Sequence, residues 1–152
     1  MTKRSAGILL FRRRTTGVEV FLVHPGGPFW AKKDLGAWSI PKGEHTEEED
    51  PLAAARRELT EESGCIANGA FIPLAPVKQP GGKVVVAWAL EGDCDASLMV
   101  SNSFTMEWPP KSGRQAQFPE VDRAEWFGLD QAREKLTKGQ VDLLDQLEHH
   151  LE

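Results

Sequence analysis

Residues 41–65 read PKGEHTEEEDPLAAARRELTEESGC, and the fold turns on how this stretch is read. Asp50 is a residue type that caps a helix by accepting a backbone N–H, and Pro51 follows where the first helical position tolerates a missing donor. The residues from Leu52 to Ser63 are mostly good helix formers. Gly64 then stands where a left-handed residue ends a helix. The spacing predicts a helix that starts at Pro51 and stops before Gly64. At roughly 100° per residue, Leu52, Ala55 and Leu59 form an apolar stripe, and Glu58, Glu61 and Glu62 share an arc of roughly 100° beside it.

That acidic arc works against the helix. Like charges at i, i+4 destabilise by roughly 0.2–0.5 kcal/mol per pair, and acids near a helix C-terminus oppose the macrodipole. A hard divalent cation would remove both penalties, because carboxylate oxygens are what Mg²⁺ or Mn²⁺ prefers. Helical spacing by itself leaves a second reading open, a solvated acidic face offset by Arg56 and Arg57.

Outward from the helix, residues 5–14 (SAGILLFRRR) and 18–25 (VEVFLVHP) are strand-like and flank a turn, so they read as a hairpin. A Gly/Pro loop, PGGPFWAKKDLG, leads to a short strand AWSI that runs into PKGE. AFIPLAPVK and KVVVAWALEG flank QPGG as a second strand pair. A strand is expected near SFTMEW, a loop over PPKSGRQAQFPE, and a short strand in DRAEWFGL. The end is helical, with Leu144, Leu147 and Leu151 at i, i+3, i+7. His24 and His45 stand apart from any pattern and read as ordinary polar residues. Strands mixed with helices argue for an α/β fold, a mixed sheet covered by helices.

A chain of 152 residues suits one domain over 1–152 and can bury a core without staples. The net charge of −5 disfavours a nucleic-acid-coating or basic membrane-surface protein. An anionic substrate stays possible, since a metal ion reverses the local field. Cys65 and Cys94 form no C-x-x-C pattern. A disulfide between them is open, but two thiols in a domain of this size usually mean a reducing compartment. The start has no secretory h-region and cleavage site, and the longest apolar run, Val84 to Leu90, is too short for a bilayer. The expectation is a cytoplasmic protein with neither membrane nor stable nucleic-acid partner.

Gly43, Glu49, Arg57-Glu58-Leu59, Glu61-Glu62 and Gly64 stand at the intervals G-x5-E-x7-R-E-U-x-E-E-x-G-U, where U is a bulky aliphatic. This resembles the Nudix box of the Nudix hydrolases. Cys65 departs from the final aliphatic, but cysteine behaves as a small hydrophobe. The resemblance implies an α/β/α sandwich with a loop–helix–loop box. It implies an enzyme, a pyrophosphohydrolase that cleaves the diphosphate linkage of a nucleoside diphosphate joined to another group, using Mg²⁺ or Mn²⁺. Glu58, Glu61 and Glu62, with the Gly43 carbonyl, match the metal ligands. Glu49 and Arg57 match the supports that hold the carboxylates, and Glu58, Glu61 and Arg57 match catalytic positions. Members differ in which glutamate takes the proton from water: some use one inside the box, others one in a loop before a late strand, where Glu120 stands, with Glu125 a weaker candidate. Substrate-binding candidates are Lys42 at the mouth of the box, Lys83, and the rings of Phe29 and Trp30, one of which could stack on a base. Lys32, Lys33, Lys111 and Arg114 are further loop cations.

The substrate expected is a small nucleotide. WSIPKG before the box and EWFGLDQA near the end resemble the branch that cleaves dinucleoside polyphosphates such as diadenosine tetraphosphate. That branch commonly stacks the base on a tyrosine, and this chain has none; Trp88 or the Phe29–Trp30 pair would substitute. Pro80 stands where ADP-ribose hydrolases tend to have proline, and Lys42 stands where oxidised-nucleotide triphosphatases usually have glycine. An ADP-ribose or nucleoside triphosphate pyrophosphohydrolase is the alternative. An isopentenyl-diphosphate isomerase would need a catalytic cysteine motif, which is not found near Cys94. A non-catalytic nucleotide-binding module would be expected to have lost box acids, and none is lost.

Overall fold

In the computed structural model, residues 4–66 and 68–151 are described. The first three residues of the stretch read above for a leader lie outside them. The first two strands, β1 (Arg4–Arg14) and β2 (Gly17–Pro25), form the expected hairpin, with Phe11 opposite Val20 and Arg14 opposite Gly17. The box follows as β3 (Lys42–Glu44) and α1 (Pro51–Ser63). Next come β4 (Ile72–Pro73), β5 (Val77–Lys78) and β6 (Val84–Glu91). The chain ends with β7 (Ser103–Glu107), β8 (Gln115–Pro119), β9 (Val121–Gly128), α2 (Leu129–Lys135) and α3 (Val141–Leu151).

One mixed sheet runs β4-β6-β1-β2-β9, with β3 added to β1 and β5 to β6. β1 lies parallel to β6 and antiparallel to β2 and β3. Its continuous apolar run follows from burial on both faces. Ala6, Ile8 and Leu10 point into a core closed by α1, while Leu9 and Phe11 point into one closed by Leu143, Leu144 and Leu147 of α3. The layers are helix, sheet and helix, as expected.

α1 begins and ends where its sequence predicts. Ala53 N–H donates to the Asp50 carboxylate at 3.0 Å, and Gly64 has φ 79°, a left-handed stop. Leu59, Ala54 and Ala55 are buried against the sheet. Truncating Leu59 to Ala would cost about 2–5 kcal/mol on the usual scale of such cavities. The packing of this stripe fixes which way the acidic arc faces.

The fold departs from the sequence reading at residues 37–40, in the segment after β7 and at the two cysteines. Residues 37–40 make only isolated bridges, Val23 with Ser39 and Trp38 with Leu136, and the strand proper starts at Lys42. The segment expected as a loop up to residue 120 contains β8, which pairs with β7 as a separate two-stranded ribbon from Ser103↔Pro119 to Glu107↔Gln115. Cys65 and Cys94 are joined as a disulfide, not two thiols, with Cα atoms 6.0 Å apart, a separation ordinary for a bridge. Among the described residues no helix is long and apolar enough to cross a membrane.

Candidate active site

β3 leaves β1 at Glu44, and its Gly43 meets the side of α1. A Cβ built on Gly43 would lie 2.1 Å from Glu58 Cδ and 2.2 Å from Oε1. Any side chain at this position would therefore displace the Glu58 carboxylate. The next acid on this side, Glu62, accepts a hydrogen bond from Lys42 N–H at 3.1 Å.

Arg57 organises the others. Its Nε and Nη2 donate to the two Glu49 oxygens at 3.2 and 3.0 Å, a bidentate grip. Its Nη1 donates to Glu58 Oε1 at 3.1 Å and Glu61 Oε2 at 3.3 Å. Glu49 thus holds the guanidinium, and the guanidinium holds two of the box carboxylates.

Glu120 is exposed in the single-residue step between β8 and β9. Its N–H donates to the Asn102 carbonyl at 2.8 Å, and its carbonyl accepts from Gly26 N–H at 2.9 Å. Asn102 N–H in turn donates to the Glu61 carbonyl at 3.3 Å. Backbone bonds therefore clip Glu120 to the last turn of α1, and its charge acts on both Glu58 and Glu62. Glu125 lies in mid-β9 opposite Leu22.

The electrostatics reflect this crowding. Burial, with the Glu58 and Glu120 charges adding, pushes the Glu62 carboxyl up to about 8, against the opposing Lys42 amide and ammonium. Burial and the Glu61 and Glu120 charges also raise Glu58, while Arg57 opposes. The Lys42 ammonium is lowered by burial and by Lys83, with Glu62, Glu44 and Glu58 opposing.

Among the described residues no three His, Cys, Asp or Glu side chains form a ready ligand cage. Glu58 and Glu61 turn toward Arg57, and Glu62 toward the Lys42 amide. The donor set is nonetheless the kind a hard divalent cation takes, all oxygen. Burial and mutual repulsion, which raise Glu58 and Glu62, are the penalties such a cation relieves. The residues fit a hard divalent cation.

The substrate candidates scatter more widely. Lys42 adjoins the acids, but Lys83 is paired with Glu44 at 3.5 Å. Phe29 and Trp30 are exposed at 59% and 41%, not tucked onto the core. Phe29 meets Trp108 edge-on at 5.6 Å, and Lys33 sits 4.9 Å above the Trp30 ring. Trp88 is half-buried against the core under α1. Pro80 belongs to the turn closed by Gln79 N–H to the Lys83 carbonyl.

His24 departs most from its sequence reading. It is fully buried, and both ring nitrogens have partners, Asp122 Oδ1 at 2.7 Å and the Lys33 carbonyl at 2.6 Å. No local pattern marks it, because its partners come from a loop and a distant strand. Asn102 was missed for the same reason, since its contribution is its backbone.

A family model described as NUDIX domain matches residues 1–147. The chain is similar in structure to a Caenorhabditis elegans Ap4A hydrolase in a binary complex, at 20% identity, TM-score 0.66, and 97% of each chain covered. It is also similar to the NUDIX domain of Shewanella oneidensis NrtR complexed with ADP ribose, at 18% identity and TM-score 0.69, covering 100% of this chain and 90% of that one. A mutT/nudix family protein from Listeria innocua matches at 16% identity and TM-score 0.63, covering 98% and 93%. No curated protein matches the sequence.

Proposed function

The chain belongs to the NUDIX family and is a pyrophosphohydrolase, and we propose on that basis that it cleaves a dinucleoside polyphosphate with the help of Mg²⁺ or Mn²⁺. The observation that carries the site is the meeting of Glu58 with Gly43, beside Glu62 and within reach of the Glu120 charge.

When bound, the cation would neutralise the diphosphate oxygens and lower the pKa of a water. Glu58, Glu61, Glu62 and the Gly43 carbonyl would hold it. Arg57, gripped by Glu49, keeps Glu58 and Glu61 in place between turnovers. Glu120 is the residue from outside the box that takes the attacking water's proton, a role requiring hydrogen-bond reach. Lys42 meets a phosphate at the mouth of the box, and Lys83 can do so only by leaving Glu44.

Two exposed ring positions favour a substrate with two bases. Phe29 backed by Trp108 is one, and Trp30 beneath Lys33 is the other. Both belong to the loop that starts at Gly26, which is bonded to Glu120. The ADP-ribose complex of the similar NrtR domain supports a second reading, ADP-ribose as substrate. A panel of diadenosine tetraphosphate, ADP-ribose, nucleoside triphosphates and capped RNA, with Mg²⁺ or Mn²⁺ and products resolved by chromatography, tests both. Preference for the dinucleoside is expected. A higher kcat/KM for ADP-ribose replaces the first reading with the second.

A further inference from the structure

β2 and β9 run in register from Glu19↔Gly128 to His24↔Arg123, and then the register slips, so that Pro25 faces Val121. Asp122 is the extra residue, a β-bulge. Bulges next to functional sites re-aim side chains. The slip is visible in the packing, since Val121 and Ala124, an odd number of residues apart, both enter the core under α1. Unbroken alternation would send them to opposite faces. The bulge therefore also resets the direction in which the chain presents Glu120, two residues earlier.

His24 holds this bulge. Its ring has no exposed surface, lies edge-on to Trp38 at 5.1 Å, and has Asp122 Oδ1 2.7 Å from Nδ1. Nε2–H donates to the Lys33 carbonyl at 2.6 Å, since a carbonyl can only accept. Arg123 reaches the same Asp122 oxygen at a looser 3.7 Å. One imidazole thus ties the bulge before the late strand to the loop bearing Phe29, Trp30 and Lys33. Between these anchors lies Gly26, whose N–H donates to the Glu120 carbonyl and whose Cβ, if it had one, would lie 2.0 Å from the Pro119 carbonyl oxygen. No side chain could fit there, so the loop and the Glu120 step are in direct backbone contact.

We propose that His24 is a positioning residue, which through Asp122 fixes the bulge that aims Glu120 at the box carboxylates, and through Lys33 fixes the ring-bearing loop. This rests on the reading of Glu120 as the acid from outside the box. The two links are separable, because an asparagine amide can take the place of Nδ1 beside Asp122 and a glutamine amide that of Nε2 beside the Lys33 carbonyl. The experiment measures kcat, KM and melting temperature for His24→Asn, His24→Gln and His24→Phe, beside Glu120→Gln.

His24→Phe is expected to lower kcat about 10- to 100-fold, the scale of a displaced catalytic group. His24→Asn should recover most of that kcat with a raised KM, and His24→Gln should recover KM but not kcat. A residue that only supports the fold would lower the melting temperature of all three variants and leave their kcat at the wild-type value, and that result overturns the proposal. If His24→Phe does not fold, the contrast between Asn and Gln decides, and equal kcat in these two overturns it. Glu120→Gln separates the underlying reading. If it is silent, the reading of Glu120 fails; if it is silent while the His24 variants are slow, His24 acts only through the loop and the proposal fails with it. If Glu120→Gln is slow and the His24 series is not, the reading of Glu120 stands and this proposal alone falls.

Discussion

Gly43 and Glu58 show how much one hydrogen atom decides at this site. A methyl group at Gly43 would overlap the Glu58 carboxyl, with Cδ 2.1 Å from the new Cβ. Gly43→Ala must therefore push Glu58 away from β3 while leaving the apolar stripe of α1 untouched. The expected result is a fall in kcat of about 10²-fold, the effect of displacing a catalytic group by about 1 Å, with an unchanged far-UV spectrum. Wild-type kinetics in this variant would mean that Glu58 does not work where it sits. Glu120→Gln should lower kcat with little change in KM, since the loss lies in transition-state stabilisation, whereas Glu125→Gln should be near wild type. Slow turnover only in the Glu125 variant would transfer the role to that acid. That Glu58, Glu61 and Glu62 share one side of α1 was legible from helical spacing, whereas their reading as ligands rests on the resemblance. Glu120 is a candidate by resemblance alone, since its placement beside α1 depends on backbone bonds with Asn102 and Gly26, far from the box in sequence. His24 was not legible at all, because nothing local distinguishes a buried bonded histidine from a polar surface one.

At the scale of elements, the segment between β6 and β9 carries the differences. The ribbon of β7 and β8 was half missed because one of its faces is solvent and β8, QAQFP, has no β-branched residue and ends in proline. Its inward positions, Phe104, Met106, Ala116 and Phe118, alternate with exposed ones, but alternation over so few residues is weak evidence beside a Pro/Gly-rich turn. The hairpin β1–β2 and the helix α1 were legible because strand composition, turn and caps all agree. Upstream of the ribbon, the Cys65–Cys94 bridge and the bond from Val100 N–H to the Ser63 carbonyl at 3.4 Å tie this segment to the end of α1. The bridge closes a separation of 29 residues, and a loop of that length is worth about 3–4 kcal/mol in the chain-entropy view. Cys94→Ser should therefore lower the urea midpoint by a corresponding amount under oxidising conditions. Wild-type protein in excess dithiothreitol should shift to match it. Equal midpoints for oxidised and reduced wild type would show that the bridge contributes no stability.

Across the whole molecule, a net charge of −5 coexists with carboxylates gathered at one end of α1, so the fold carries its repulsion where the chemistry is proposed. Removing the cation with a chelator should abolish diphosphate hydrolysis, and full activity after chelation would exclude the metal reading. The same repulsion links stability to pH. An ordinary glutamate titrates near 4.5, and in the folded chain Glu62 is pushed up to about 8, chiefly by burial. Between these values the folded state binds more protons at this group than the unfolded state does. Metal-free stability attributable to Glu62 must then fall as pH rises from about 4.5 to about 8 and level off above, once the carboxyl has ionised in both states. Glu58, raised in the same direction, adds to the slope. A divalent cation needs the ionised carboxylates, so it competes with the protons and binds more tightly as pH rises. Ligand-linked stabilisation is about 2.7 kcal/mol at 100 times the dissociation constant. The gap in melting temperature between Mn²⁺-loaded and chelated protein should therefore widen from pH 6 to pH 8. Glu62→Gln, which cannot ionise, should flatten the metal-free slope, and calorimetry at both pH values measures it. A metal-free protein that instead gains stability over this range, or a Glu62→Gln variant with the wild-type slope, would show that Glu62 is not the half-buried carboxylate on which the site's charge balance rests.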